Sequence, residues 1–193
     1  MAKILLTGFT PFDGRDINAS WVAAQTFTDA NHLEIPVVWG QPLSLLSTAI
    51  TEHKPDIVIS LGEGHEGYFA IETRARNSRK QRKDNNNDMP ESDIVPGGPD
   101  ALPASIDTIA IQQQLSRWAI PVKTSEDAGQ FLCEETLYCL ETLKIEQPGI
   151  AKVVFTHLPP YGTSVQYQNQ ERVIDESLLK DFVKRLVDVV ENL

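Results

Sequence analysis

Residues 56–62, with the sequence DIVISLG, contain a short run of apolar and mostly β-branched side chains that ends at a glycine. Such a run is typical of a strand that is covered on both faces, because a strand with one face in water alternates apolar and polar side chains. A sheet built around such a strand has helices packed on both of its faces. The fold prediction therefore depends on whether the rest of the chain supplies those helices.

Helix-like and strand-like segments alternate along the 193 residues. Further strands are predicted at residues 3–8, 35–40, 121–125 and 152–157, with an alternating, half-exposed strand at 67–77. Helices are predicted at residues 20–29, 44–54, 107–118 and 176–193, and within 125–144 beyond its first residues. This order predicts an α/β fold: a single-domain, three-layer αβα arrangement with a mostly parallel, twisted sheet flanked by helices.

Charge and composition exclude several classes of partner. The formal net charge is −10, so the chain is a poor candidate for binding nucleic acid or an anionic membrane surface. No apolar run approaches the roughly 20 residues that span a bilayer. The N-terminal sequence MAKILLTGF has a very short apolar run, unlike a secretory signal. We therefore expect a cytoplasmic protein with no nucleic-acid partner and no membrane partner.

Two polar stretches, 77–100 and 161–175, are predicted to be loops, and long loops in compact domains are often functional. The first overlaps a basic run at 74–83 that holds six of the chain's 17 Lys and Arg residues and no acidic residue. A nucleic-acid patch is one interpretation of this run. The absence of aromatic residues from it favours a solvated loop or the rim of an active site instead.

Ligands of open α/β sheets bind outside the carboxyl ends of the strands. In the predicted sheet, the turns at those ends bring five chemically notable residues to one edge: Phe9, Phe12, His65, Cys133 and His157. TGFTPFDG, the turn after the first strand, lacks the Lys-Ser/Thr of a phosphate-binding loop and the glycine spacing of a dinucleotide site. The three phenylalanines near this edge, which include Phe131, are equally compatible with an ordinary core.

Cys133 lies where a helix is predicted to begin, and peptide N–H groups at a helix start favour a thiolate. The alternative is a buried structural cysteine, and the neighbouring Glu134 and Glu135 argue against a thiolate unless they point away. Cys139 lies in mid-helix and is predicted to be core. On one helix the two Cα atoms would be about 9 Å apart, too far for a disulfide. Their spacing also fits no common zinc pattern.

His157 ends a predicted strand and precedes LPP, which directs the chain out of the sheet. A histidine in this position is ordinary by itself. Paired with a cysteine at a helix start on the same edge, it suggests a cysteine–histidine nucleophile. His65 is a competing base, although GEGHEG is a flexible setting for one. Glu72 has a simpler interpretation, as an ordinary polar residue on the solvent-exposed face of its strand.

Four segments of the chain resemble the type I pyroglutamyl peptidases, also called pyrrolidone carboxyl peptidases. TGFTPFDGRDINAS, IVPGGPDALPASI, SEDAGQFLCE and FTHLPPYG look like that family's N-terminal, Gly-Pro, nucleophile and histidine segments, and they occur in the family's order. The matches run from residue 4 to about residue 162. The cysteine and histidine segments together are a specific signal.

The resemblance implies a cysteine peptidase that hydrolyses the amide bond after an N-terminal pyroglutamyl residue through a thioacyl-enzyme. By position it implies that Cys133 is the nucleophile, His157 the base and Glu72 the residue that orients His157. It further implies no metal and no cofactor, N-terminally pyroglutamylated peptides as substrates, a homo-oligomer, and one α/β hydrolase-type peptidase domain over residues 1–193. Residues matching the substrate site are Phe9, Phe12, Phe131 and Arg82.

Several positions depart from the family pattern: Asp13 replaces a usual glycine, Thr73 a frequent arginine, and Glu134 a usual Asn or Asp. Residues 82–85 carry RKDN in place of RIPDN. Two alternative functions therefore stay open at this point. One is a cysteine amidase for another small amide or lactam, and the other is a non-catalytic relative that binds peptides.

Overall fold

The computed structural model describes residues 2–91 and 93–193; residues 1 and 92, the second of which falls in the predicted loop 77–100, lie outside the described residues. The strands are β1 (Ile4–Phe9), β2 (Asn31–Ile35), β3 (Ile57–Glu63), β4 (Phe69–Glu72), β5 (Arg74–Arg76), β6 (Ala101–Pro103), β7 (Val122–Ser125), β8 (Lys152–Leu158), β9 (Ser164–Tyr167) and β10 (Gln170–Val173). The helices are α1 (Ala19–Gln25), α2 (Gln41–His53), α3 (Thr108–Ser116), α4 (Leu132–Glu146) and α5 (Glu176–Glu191).

The central sheet of the described chain has six strands in the order β2-β1-β3-β8-β4-β7. Neighbouring strands are parallel except at the junction of β8 and β4, which is antiparallel. The mostly parallel sheet expected from the sequence is therefore confirmed, with one reversal. β4 and β7 share one direction, opposite to that of β1, β3 and β8.

Helices cover both faces of the sheet, as expected. One core cluster contains Ile57, Ile59 and Leu61 of β3 together with buried residues of α1, α3 and α5. The other contains Val58 of the same strand and buried residues of α2 and α4. Alternate residues of β3 thus face opposite layers, which explains why its sequence is apolar almost throughout. Among the described helices, none combines the length and the apolarity that crossing a membrane requires.

The strand predicted at residues 35–40 was wrong, because β2 ends where that prediction begins. Pro36 has no N–H to donate to a neighbouring strand, and the N–H of Trp39 bonds to the Asp84 carboxylate at 2.9 Å instead. The helix predicted at 20–29 begins one residue earlier and ends at Gln25. Propensity alone therefore misplaced the strand and overextended the helix.

The half-exposed strand predicted at 67–77 was also wrong. β4 is buried at all four positions because it lies inside the sheet, between β8 and β7. The chain then leaves the sheet, and β5 pairs with β6 in a separate antiparallel ribbon. A second ribbon, β9 with β10, lies in the stretch 161–175 that was predicted to be a loop.

The reversal of β4 and β7 corrects the expected route to the site. The carboxyl end of β7 does not join those of β1, β3 and β8 at one edge, since β7 runs the other way. The segment 126–131 carries the chain from β7 to the start of α4, and thereby brings Cys133 back over the sheet to Gly62. The cysteine reaches the site through this connection.

Candidate active site

Cys133 is the second residue of α4, at the helix start that the sequence predicted, and it is partly exposed. A turn with positive φ angles at Gly129 and Gln130 leads into the helix. Within the described chain, the capping residue Phe131 makes no side-chain hydrogen bond to the helix. The first N–H groups of a helix have no partners inside it, so they are available beside the Cys133 side chain.

His157 and Glu72 come from neighbouring strands, β8 and β4. His157 lies in register with Ala70, so Glu72 is the next residue of β4 on the same face. Nδ1 of His157 lies 2.7 Å from Oε1 of Glu72, and both residues are buried, at 9% and 1% exposure. Glu72 is therefore not a solvated residue on an outer face, which was the plain alternative.

Cys133 and His157 meet above Gly62 of β3. A Cβ atom at Gly62 would lie 2.8 Å from the Cys133 Sγ and 3.1 Å from the His157 Cδ2. Only a residue without a side chain leaves room for both groups over the strand. Burial lowers the pKa of His157, but the charge of Cys133 and the hydrogen bond and charge of Glu72 outweigh it and raise the pKa to about 10.

The two glutamates that follow Cys133 point away from it, which removes the objection to a thiolate. Glu134 accepts the N–H of Arg76 at 2.6 Å and that of Gln130 at 3.3 Å. Glu135 forms a bidentate ion pair with Arg79, with N–O distances of 2.8 and 2.9 Å. Both carboxylates are thereby tied to the segments that surround the helix start.

Cys139 is core, as predicted. It is a free thiol like Cys133, but its exposure is 1%. Burial, with the nearby charge of Glu135, raises the pKa of Cys139 to about 12. This thiol therefore stays protonated and inert near neutral pH.

A cavity of about 650 Å³ opens over the cysteine and histidine. One end is lined by Phe12 and Phe131, whose ring centroids are 5.4 Å apart. The Arg82 guanidinium lies over both rings, 4.7 and 4.8 Å from their centroids, and pairs with Asp13 at 3.3 Å. Phe9 also lines the cavity but is only 2% exposed and packs in the core beneath it.

A family model described as pyroglutamyl peptidase matches residues 2–183. The chain belongs to the pyroglutamyl peptidase family. The pyrrolidone-carboxylate peptidase of Klebsiella pneumoniae is 35% identical over 170 residues, which cover 82% of this chain and 78% of the relative. That of Gloeobacter violaceus is 34% identical over 167 residues, 81% of each chain.

Solved structures of the pyroglutamyl peptidase family agree over almost the full length. A mutant pyrrolidone carboxyl peptidase from the hyperthermophile Pyrococcus furiosus superposes with a TM-score of 0.84 at 27% identity, covering 99% of both chains. Pyroglutamyl peptidase I of Bacillus amyloliquefaciens gives 0.83 at 26% identity, covering 98% of this chain and 96% of that one. The resemblance inferred from the four segments is thus confirmed. Because this family consists of peptidases, neither alternative function is favoured.

The positions that depart from the usual pyroglutamyl peptidase pattern have local structural partners. Asp13 holds Arg82 over the aromatic pair. Thr73 donates its hydroxyl and its N–H to the carbonyl oxygen of Ser125, at 2.9 and 2.7 Å, and so joins the end of β4 to β7. Glu134, as described above, holds the turn before Cys133. Each substitution thus makes a defined contact near the cavity.

Three arginines of the basic run at 74–83 are paired with carboxylates. Arg76 pairs with Asp127 at 2.6 Å, Arg79 with Glu135 and Arg82 with Asp13. Arg82 of this run lines the cavity, and its carbonyl oxygen accepts the indole N–H of Trp39 at 2.9 Å. Trp39 in turn packs edge-on against Phe131, with the two centroids 4.9 Å apart.

Sequence reasoning missed three residues of the site: Gly62, Tyr68 and Lys123. Gly62 makes the close approach described above, and its position at the end of a strand was the signal available for it. Tyr68 and Lys123 line the far end of the cavity, but their proximity depends on the pairing of β4 with β7. His65, the competing base, also lines the cavity; it is exposed and stacks near Tyr68 at 6.1 Å. Within residues 2–91 and 93–193, no group of three or more His, Cys, Asp and Glu side chains is arranged to hold a metal ion.

Proposed function

We propose that this protein is a cysteine peptidase that removes an N-terminal pyroglutamyl residue from peptides, with Cys133 as the nucleophile, His157 as the proton carrier and Glu72 as the orienting carboxylate. The observation that carries the proposal is the meeting of Cys133 and His157 over Gly62, with Glu72 bonded to the far side of the imidazole at 2.7 Å. Membership of the pyroglutamyl peptidase family supports the choice of substrate.

In the resting site the proton resides on His157 and the negative charge on Cys133. A pKa of about 10 for the imidazole is consistent with this ion pair at neutral pH. The Cys133 thiolate attacks the carbonyl carbon that joins the pyroglutamyl residue to the next residue. The C–S bond forms as the carbonyl π electrons move onto oxygen, and collapse of this intermediate breaks the C–N bond.

His157 supplies the proton that the departing amine needs. Attack consumes the negative charge of the thiolate, which is the largest of the causes that raise the pKa of His157. The pKa of the imidazolium therefore falls as the thioester forms, and the ring becomes a stronger acid at the moment when the amine leaves. Water, deprotonated by the now neutral His157, then hydrolyses the thioester and restores the ion pair.

Glu72 fixes the ring for both steps. Its carboxylate accepts the Nδ1–H, so Nε2 is the nitrogen that exchanges the proton with sulfur, amine and water. The oxyanion is stabilised by free N–H groups at the start of α4, next to Cys133. Holding these groups on β4, β8 and α4 keeps the geometry fixed during turnover.

The aromatic end of the cavity suits a pyroglutamyl ring. This five-membered lactam is flat and neutral, so it can pack against the apolar surface that the Phe12 and Phe131 rings form together. A free, charged N-terminus would lose its hydration there and would also meet the Arg82 cation, which lies against both rings. The same end therefore accepts pyroglutamate and rejects an ordinary amino terminus. The lactam ring is also too small to fill the whole cavity, which leaves room for the residue that follows it.

The direct test compares a chromogenic pyroglutamyl amide with the corresponding glutaminyl and prolyl amides in reducing buffer. Glutamine is the uncyclised counterpart and proline has the ring without the lactam carbonyl, but both carry an amino-terminal charge. The proposal predicts hydrolysis of the pyroglutamyl amide alone. Equal hydrolysis of the three amides would contradict it. So would a protein that hydrolyses no pyroglutamyl amide and no related lactam amide.

We further propose, on family membership alone, that the protein acts in the cytoplasm as a homo-oligomer and that its 193 residues form one peptidase domain. Light scattering coupled to size-exclusion chromatography measures the assembly directly. A mass equal to the 21.5 kDa of one chain at micromolar concentration would contradict the oligomer.

A further inference from the structure

We propose that Lys123 and Tyr68 form a subsite for a carboxylate on the residue that follows pyroglutamate, so that the enzyme prefers leaving groups with a negative charge next to the scissile bond. This inference rests on the proposed function and deepens it, because it concerns the opposite end of the same cavity. The carboxylate can be the free C-terminus of a pyroglutamyl dipeptide or the side chain of Asp or Glu.

Strand register places Lys123 on the same face as His157. Ala70 of β4 is in register with His157 of β8 on one side and with Lys123 of β7 on the other. Residues in register on neighbouring strands point to the same face, so the three side chains form one row across the sheet. With strands about 4.8 Å apart, the Cα atoms of Lys123 and His157 are about 10 Å apart.

The middle member of this row leaves space between its neighbours. The Ala70 side chain is a single methyl group, so the cavity continues over it from His157 to Lys123. Phe12 and Phe131 lie at the opposite end, beyond the cysteine. A peptide with its lactam against those rings and its scissile amide at His157 therefore extends its next residue over Ala70 towards Lys123.

The Lys123 ammonium is held at the cavity wall. Its Nζ lies 4.0 Å from the centroid of the Tyr68 ring, and both residues line the cavity. A cation over an aromatic face is stabilised without any loss of its charge. The ammonium therefore keeps its capacity to bind an anion, while its position is restricted before the substrate arrives.

The charges around the cavity leave Lys123 as the group that attracts a carboxylate. Glu63 and Asp127 also line the cavity, but each is paired with an arginine, Arg15 and Arg76 respectively. At the aromatic end, Arg82 is paired with Asp13. Among the described residues, Lys123 has no carboxylate within 4.0 Å, so its charge is not compensated by an ion pair.

Two pairs of substrates test this subsite. The first pair is pyroglutamyl-alanine and its amide, which differ in the terminal carboxylate. The second is the pyroglutamyl-glutamate and pyroglutamyl-glutamine amides, which differ in the side chain. The kcat/KM values are measured for the wild type, for Lys123→Gln and for Lys180→Gln, which removes the same charge from α5, on the other face of the sheet.

We expect the wild type to favour the charged member of at least one pair and Lys123→Gln to reduce that preference by about 3- to 10-fold. The preference should also weaken at high salt, because the ammonium lies at the rim. If Lys123→Gln loses the preference for the charged substrate in the first pair, the terminal carboxylate is the ligand. If it loses that preference in the second pair, the ligand is the acidic side chain.

Three results overturn the inference. One is hydrolysis of these substrates with the same preference in the wild type and in Lys123→Gln. Another is an equal change in Lys180→Gln, which would show an effect of net charge and not of a subsite. A wild type that hydrolyses none of the four refutes the proposed function itself, and this inference with it. Failure of the proposed function differs from failure of the subsite alone, because only the former leaves no activity to compare.

Discussion

The Nδ1 atom of His157 and the Oε1 atom of Glu72 lie 2.7 Å apart between two adjacent, oppositely directed strands of the sheet. The carboxylate thereby lies on the far side of the imidazole from the cysteine, and it is 1% exposed. Because β8 and β4 are both buried, neither side chain can move far without disturbing the core. The pair therefore sets both the orientation and the charge of the histidine.

Replacing Glu72 by Gln should lower the pKa of His157. The carboxylate is one of the groups that raise the pKa to about 10, so an uncharged amide lets the ring lose its proton at a lower pH. Hydrolysis of a pyroglutamyl amide should fall by about 10²- to 10⁴-fold, since Gln can also present the wrong hydrogen-bonding group to Nδ1.

An NMR titration of the His157 ring in both proteins measures this shift. Glu52→Gln, an exposed position on α2, is the matched control and should titrate like the wild type. An unchanged titration in Glu72→Gln would show that the carboxylate does not set the charge of the ring.

Adding one methyl group at Gly62 should separate the nucleophile from the base. The new Cβ would meet the Cys133 Sγ at 2.8 Å and the His157 Cδ2 at 3.1 Å, so at least one group must shift. Displacements of this kind cost about 100-fold in turnover. The kcat of Gly62→Ala is the measurement.

Gly149→Ala is the control for this change, because no described atom lies within 4 Å of its added Cβ. It should keep wild-type activity. Full activity in Gly62→Ala would mean that Cys133 and His157 do not act together at this position.

Phe12 and Phe9 should respond differently to truncation, although the sequence assigned both to one substrate pocket. Phe12 is partly exposed in the cavity, so Phe12→Ala should lower kcat/KM by about 10- to 100-fold while Tm changes little. Phe9 is 2% exposed, so Phe9→Ala should cost about 3–5 kcal/mol of unfolding free energy.

Measuring kcat/KM and thermal unfolding on the same two variants separates pocket from core. An early-melting Phe12→Ala variant whose folded fraction is fully active would remove Phe12 from the pocket.

Alkylation should distinguish the two thiols. At pH 8 iodoacetamide should label Cys133 much faster than Cys139, whose pKa of about 12 keeps it protonated and whose burial keeps the reagent out. Mass spectrometry of the digested protein gives both rates. Equal labelling in the folded protein would show that Cys133 has no special reactivity.

Much of the fold followed from local sequence patterns. The apolar run of β3, the periodicity of α5 and the helix start before Cys133 are local signals, and the structure agrees with each. The direction of β4 and β7 left no such signal, because an alternating or apolar run reads the same for a parallel and an antiparallel strand. The expected direction of the strand before Cys133 was wrong for that reason, although the five residues expected at one edge do line one cavity.

The site was predictable only where the motifs are contiguous. SEDAGQFLCE and FTHLPPYG hold their functional residues at fixed local positions, so Cys133 and His157 could be proposed from the sequence. The bond from Arg79 to Glu135 and the row that joins His157 to Lys123 depend on packing between distant segments. Residue spacing along the chain contains no information about such contacts.

The central claim is that Cys133 is the nucleophile, and hydrolysis of a pyroglutamyl amide by two single variants tests it most directly. Serine is a much weaker nucleophile than a thiolate in this setting, so Cys133→Ser should lose at least about 10³-fold in kcat/KM. Cys139→Ser, with its change buried inside α4, should keep most of the activity of its folded fraction. Wild-type activity in Cys133→Ser, or its loss from folded Cys139→Ser alone, would contradict the account.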